Sequence, residues 1–326
     1  MIIHVGSKRE FQTIQSALDS LAGNTEKPVT ILIDPGLYRE KLFINQNNLR
    51  LIGAGQEAAD TVISWADSAK KPLLDGKPMR TFLSYTIYIR GEDFFAKNLS
   101  FENTAGPGGI AGQAVAVYAD ADRMHFKNCR FLGWQDTLCT GPLPNDPEPV
   151  MEWGNHNFHI FNEGSLVFRQ YYEDCYITGD VDFIFGSARA LFHNCQIESL
   201  WNKDSEGNFI TAPAHPSWEP FGYTFINCRL TSLTPEGSVY LGRPWRGYGK
   251  VSFWNCWMDK SICAEGWHHW TKVREQTARF MEAGCVGPGA QAEERVSWVK
   301  IIPKSAESLP AMSDMGFEYV DNNDSD

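Results

Sequence analysis

The chain has 326 residues, of which 43% are hydrophobic and 21% charged, and its formal net charge is −11. That length and balance describe a folded chain with a substantial core and exclude wholesale disorder. The acidic excess, with no basic cluster, excludes the phosphate neutralisation on which nucleic-acid binding rests, and no stretch approaches the ~20 apolar residues of a membrane helix.

Taken in chain order, the N-terminal stretch MIIHVGSKREFQTIQ has no basic segment followed by an apolar run. A secretory signal is therefore not expected, which fits a cytoplasmic protein or a mature secreted form. In FQTIQSALDSLA (11–22) the apolar residues Ile14, Ala17, Leu18 and Leu21 fall at helical spacing and predict a helix. Such a helix can cap one end of a sheet structure and protect its edge. Short apolar runs then recur with turn residues between them: ILI (31–33), LRLI (49–52), TIYI (86–89), AVAVY (114–118) and VSFW (251–254). TKVREQTARFMEA (271–283) predicts a second helix, and an acidic tail over about 312–326 ends in DNNDSD. No linker interrupts the chain, so a single domain over 1–326 is expected, with a monomer as the default.

The eight cysteines form neither a CxxC pair nor a zinc-ligand cluster. Five of them share one context: FKNCRF (126–131), YEDCYI (172–177), FHNCQI (192–197), FINCRL (225–230) and FWNCWM (253–258), with AKNLSF (96–101) as a weaker earlier copy. Self-similarity at this scale signals a repeat. The uneven spacing suits a β-solenoid, whose loops can lengthen on one side while its strands keep register. The repeated Cys reads as a small inward-facing hydrophobe and the Asn or Asp before it as a bend; a disulfide set is the alternative.

GDVDFIFG (179–186) reads as a strand carrying Asp180 and Asp182 on one face, with Val181, Phe183 and Phe185 on the other. Asp136 lies eight residues after Asn128, and Asp182 eight after the equivalent Asp174. In a parallel solenoid the two acids would stack on adjacent coils, about 4.7–4.9 Å apart along the axis. Two such acids cannot both ionise cheaply, which separates a carboxylate nucleophile from a general acid. Arg243 in LGRPWR offers a cation, and Gln113 and Gln135 offer neutral donors for a developing oxyanion.

With GQAVAV, GWQDTL, DVDFIFG and LGRPW in this order, the chain resembles the pectin methylesterases. REFQTIQSAL, IDPGLYREKL (33–42) and TARFMEAGCVGPGAQAEERVSW (277–298) extend the resemblance over about residues 4–300. The resemblance implies an all-β right-handed parallel β-helix that hydrolyses galacturonate methyl esters in pectin or methylated oligogalacturonides. It implies Asp182 as nucleophile, Asp136 as general acid and then base, Gln113 and Gln135 at the oxyanion, and Arg243 bonded to Asp182. Trp245 and Phe185 would line the sugar groove, although strict alternation turns Phe185 away unless the chain bends at Gly186. No metal or organic cofactor is implied.

Two departures from the family pattern stand out. At Asp180 the family more usually has Thr or another uncharged residue. Asp180 either adds charge beside Asp182 and moves the pH optimum upward, or faces a basic group such as Arg189. Residues 139–168, with Trp153, Phe158 and Phe161, form a longer segment than the family pattern leads one to expect. It is expected either to narrow the cleft or simply to pack on the solenoid. The net charge favours highly esterified, nearly neutral substrate, because like charges repel within a Debye length of about 8 Å. No GxSxG or HExxH motif is present, and His268–His269 reads as structural. The rival readings are a solenoid glycosidase resembling a polygalacturonase and a non-catalytic carbohydrate-binding solenoid.

Overall fold

Short runs of apolar and β-branched residues, each ended by Asn, Asp or Gly, produce short strands joined by sharp bends. The computed structural model describes residues 1–21, 27–144, 158–161, 164, 167–203, 207–303 and 308–322. Among these residues the strands form three sheets of eleven, eight and seven strands and a separate pair. Each central coil gives one strand to each large sheet, and the end coils contribute to fewer. Met124–Lys127, Arg130–Leu132 and Leu138–Thr140 pair in parallel with Arg169–Glu173, Tyr176–Gly179 and Ile184–Gly186 of the next coil. The fold is a right-handed parallel β-helix.

The repeat explains the bend between the first two sheets. Asn98, Asn128, Asp174, Asn194, Asn227 and Asn255 all adopt the left-handed conformation, with φ between 48° and 55°. Asn and Asp tolerate that region better than other residues with a β-carbon. The cysteine after each bend points inward. All eight cysteines are free thiols, and from Cys175 onward those in the repeat reach a backbone carbonyl of the preceding coil: Cys175 Sγ to Phe126 O is 3.4 Å and Cys228 Sγ to Phe192 O 3.3 Å. Three residues before each Cys the rings stack face to face. Phe126–Tyr172, Tyr172–Phe192, Phe192–Phe225 and Phe225–Phe253 have centroids 4.4–5.1 Å apart.

A helix does cap the first coil, but over Ile14–Asp19, shorter than the apolar spacing predicts. Thr13 caps it by accepting the Ser16 N–H, and the Glu40 carboxylate accepts those of Ile14 and Gln15, so its N-terminal donors are satisfied. Ile14, Ala17 and Leu18 are buried against the solenoid core.

The predicted helix over 271–283 is not formed. A 3₁₀ turn covers Arg274–Gln276, and Arg279–Ala283 is a strand paired with Lys250–Trp254. The apolar residues that mimic helical spacing are those of another coil, and Cys285 is a sixth member of the thiol ladder, bonded to Phe253 O. Residues 312–320 are not a free tail either. Met315 and Phe317 are buried against Tyr171 and Leu191, and Arg169 and Arg189 donate to the carbonyls of Gly316 and Met315. Residues 323–326 lie outside the described residues.

Candidate active site

The two acids occupy equivalent positions on adjacent coils. Leu138 pairs with Ile184, and the Asp136 N–H donates to Val181 O at 3.1 Å, which sets Asp136 beside Asp182. Both have left-handed backbones, with φ of 66° and 49°. The bend at Asp182 overturns the reading of 179–186 as one continuous strand. The strand ends at Gly179, the acids sit in the turn, and a new strand runs from Ile184 to Gly186. Phe183 and Ile184 both enter the core, so alternation is broken before Phe185, which faces outward beside Trp245 at 5.9 Å. No bend at Gly186 is needed to present it.

Arg243 forks onto Asp182, Nε to Oδ1 and Nη2 to Oδ2, each at 2.8 Å. Its guanidinium is itself held between the rings of Phe209 and Trp270, with Cζ 3.8 and 4.2 Å from their centroids. His268 accepts the Trp270 N–H at 3.0 Å, so this histidine supports the ring that supports the arginine. Burial raises the pKa of Asp182, the Arg243 hydrogen bonds and charge pull it back, and the balance leaves it above the ordinary value. Asp136 lacks that fork. Burial and then the charge of Asp182 push it well above the usual carboxyl range, further than Asp182, which has the fork.

Gln113 and Gln135 complete the cavity, whose volume is about 550 Å³ and which all seven predicted residues line. Gln113 precedes its strand, which begins at Val117; it follows a short helical turn over Gly108–Ala111. Gly108 lies directly against Gln135: a β-carbon there would stand 2.5 Å from Oε1 and 2.7 Å from Cβ. Lys70 secures the same turn by donating to the carbonyls of Gly109 and Ile110 at 3.0 and 3.2 Å.

Asp180 is not a solvated neighbour of Asp182, and Arg189 is not its partner. Arg189 pairs with Glu219 at 2.9 Å, while the buried Asp180 carboxylate accepts from Asn202 Nδ2 and the Val181 N–H, each at 2.8 Å. The Gly108 N–H also favours its charged form, but burial wins and its pKa is raised.

Sequence reasoning missed Lys70, Arg80, Phe82 and Trp270, all of which line the cavity. They belong to no repeated position, so the solenoid phase gave no signal for them. Of the 139–168 segment, Leu143–Pro144 pairs with Ile160–Phe161, and Phe158 packs on Phe82 at 5.6 Å. Trp153 lies outside the described residues. Among the described residues no group of three or more His, Cys, Asp and Glu side chains is placed to hold a metal ion, and no helix is long and apolar enough to cross a membrane.

The pectinesterase family profile matches residues 1–142 and 164–313. Pectinesterase 31 of Arabidopsis thaliana is 38% identical over 297 residues, covering 89% of this chain and 83% of that protein. Among solved structures, the pectin methylesterase PemA of Erwinia chrysanthemi superposes with a TM-score of 0.76 at 27% identity, covering 96% of both chains. A pectin methylesterase in complex with a hexasaccharide, also 27% identical and covering 96% of both chains, gives the same TM-score. With its acids, arginine and glutamines gathered in one cleft of a parallel β-helix, the chain belongs to the pectinesterase family and is a carboxylic ester hydrolase.

Proposed function

We propose that this chain, acting as a monomer, hydrolyses galacturonate methyl esters in pectin or methylated oligogalacturonides through an acyl-enzyme on Asp182. A carboxylate oxygen of Asp182 attacks the ester carbonyl carbon. The oxyanion that forms is held by the side-chain amides of Gln113 and Gln135. Collapse of the tetrahedral centre breaks the bond to the methoxy oxygen, which takes the proton of Asp136 and leaves as methanol. Asp136, now a carboxylate, removes a proton from water as that water attacks the acyl carbon. Asp182 departs as a carboxylate, the product acid is released, and Asp136 is again protonated. Trp245 and Phe185 offer aromatic faces to the apolar faces of the sugar.

The observation that carries this reading is the division of labour between two stacked acids. One is forked by Arg243; the other lacks that fork, and burial with the neighbouring charge of Asp182 pushes its pKa well above the usual carboxyl range, which suits it to hold the proton. The neutral glutamines favour an ester over a glycoside, because glycoside cleavage develops positive charge and not an oxyanion. The test is methanol release from methyl-esterified pectin and methylated oligogalacturonides, with reducing ends assayed in parallel. Methanol without new reducing ends is expected, lost by about 10³-fold or more in Asp182→Asn. New reducing ends would point to a solenoid glycosidase. Carbohydrate binding without turnover, indifferent to Asp182→Asn, would point to a binding solenoid.

A further inference from the structure

Outside the catalytic cleft, Asp120 is a fully buried acid at the end of the strand Val117–Ala119. Among the described residues it makes no ion pair with Lys or Arg. A buried carboxylate is costly unless it is hydrogen-bonded. Here Oδ2 accepts the Tyr88 O–H at 2.8 Å and the His159 backbone N–H at 3.0 Å. The His159 ring turns back onto the same residue. Its Nδ1–H donates to the Asp120 carbonyl at 2.8 Å, while Arg90 Nη2 donates to Nε2 at 3.0 Å. Two strand ends, at Arg90 and Asp120, thus grip one residue of the 139–168 segment.

The grip has a local effect. Leu143 N–H donates to His159 O at 2.8 Å, and Gly141 gives the carboxylate room, since a β-carbon there would stand 2.1 Å from Asp120 Oδ1. Phe158, next in the chain to His159, is thereby set on the outward face of the sheet. Its ring centroid lies 5.5, 5.6 and 5.9 Å from those of Tyr118, Phe82 and Tyr88. Phe82 in turn meets Phe185 at 6.3 Å, and Phe185 meets Trp245 at 5.9 Å. Phe82, Phe185 and Trp245 line the cleft, and Phe158 backs Phe82 from behind.

We infer that His159, held by Asp120 and Arg90, is a positioning residue for ester hydrolysis: it fixes Phe158 behind Phe82 and so sets the aromatic wall of the cleft. This rests on the esterase reading above and adds to it what the 139–168 segment does. The segment neither narrows the cleft by entering it nor merely packs on the solenoid. It braces the wall from outside. His159 touches no reacting atom, so its effect falls on binding of the sugar and not on the chemical step.

The experiment measures methanol release from a methylated hexagalacturonate, with kcat and KM determined separately. His159→Ala and Phe158→Ala should each raise KM about fivefold, the worth of an aromatic contact, and leave kcat within about twofold. Because one residue acts through the other, the double variant should be no worse than either single one. His159→Asn, whose Nδ2 can replace the Nδ1–H donor to Asp120 O, should keep KM close to the wild type. A wild-type KM in folded His159→Ala, or KM increases that multiply in the double variant, overturns this inference alone. If His159→Ala does not fold, Phe158→Ala decides: a raised KM supports the inference and a wild-type KM overturns it. No methanol from the wild type overturns the esterase reading and this inference with it.

Discussion

Asp136 and Asp182 are asked to do two things at once. Each must turn the chain through a left-handed bend, and each must present a carboxyl group to the cleft. Asp meets both demands, since its short polar side chain tolerates that backbone. Asp180, two residues before Asp182, raises the pKa of both by its charge, though for each it is a smaller cause than burial. In the proposed mechanism Asp182 must be ionised and Asp136 protonated. Asp180→Asn should lower both pKa values, so the acid and alkaline limbs of the kcat/KM–pH profile should both move to lower pH. An unmoved profile would show that Asp180 serves only its hydrogen bonds to Asn202 and Val181. At this scale the acids were legible because the repeat gave their phase. Phe185 lines the cavity as expected, but its direction could not be read from alternation, which fails at a left-handed residue, and nothing in the letters DVDFIFG marks where that residue falls.

The element that matters most beside the acids is the turn over Gly108–Ala111, which carries no chemistry of its own. Gly108 lets the backbone lie against Gln135, and Lys70 pins the turn from the other side. Gly108→Ala should push the Gln135 amide out of place and lower kcat by about 10²-fold, with KM little changed. A wild-type kcat would mean that Gln135 is not held by this contact. The helix predicted over 271–283 failed for a related reason. Its strand does belong to the repeat, but Glu282 stands where the other coils have an aromatic ring, so the pattern was hidden. That glutamate is buried with Arg295, Nε to Oε1 at 2.8 Å, and accepts from Trp267 Nε1 at 2.9 Å. A satisfied polar cluster thus ends the aromatic stack that runs from Phe126 to Phe253.

For the molecule as a whole, parallel winding turns recurrence in sequence into adjacency in space, and this is why fold and acid pair could be read together. Arg243 also came from a motif, but the rings that hold it, Phe209 and Trp270, lie in stretches with no repeated pattern. Lys70, Arg80 and Phe82, which line the cavity, were illegible for the same reason: they belong to no repeated position. The central claim is covalent attachment of substrate to Asp182, and an aryl ester of an oligogalacturonide tests it most directly in Asp136→Asn. A phenolate leaving group needs no acid, so acylation should proceed while water activation fails. Intact-protein mass should then rise by one galacturonyl chain per enzyme, with one equivalent of phenol released, and neither should occur when Asp182→Asn is added. Steady phenol release without a mass increase, or an adduct that survives Asp182→Asn, would contradict the account.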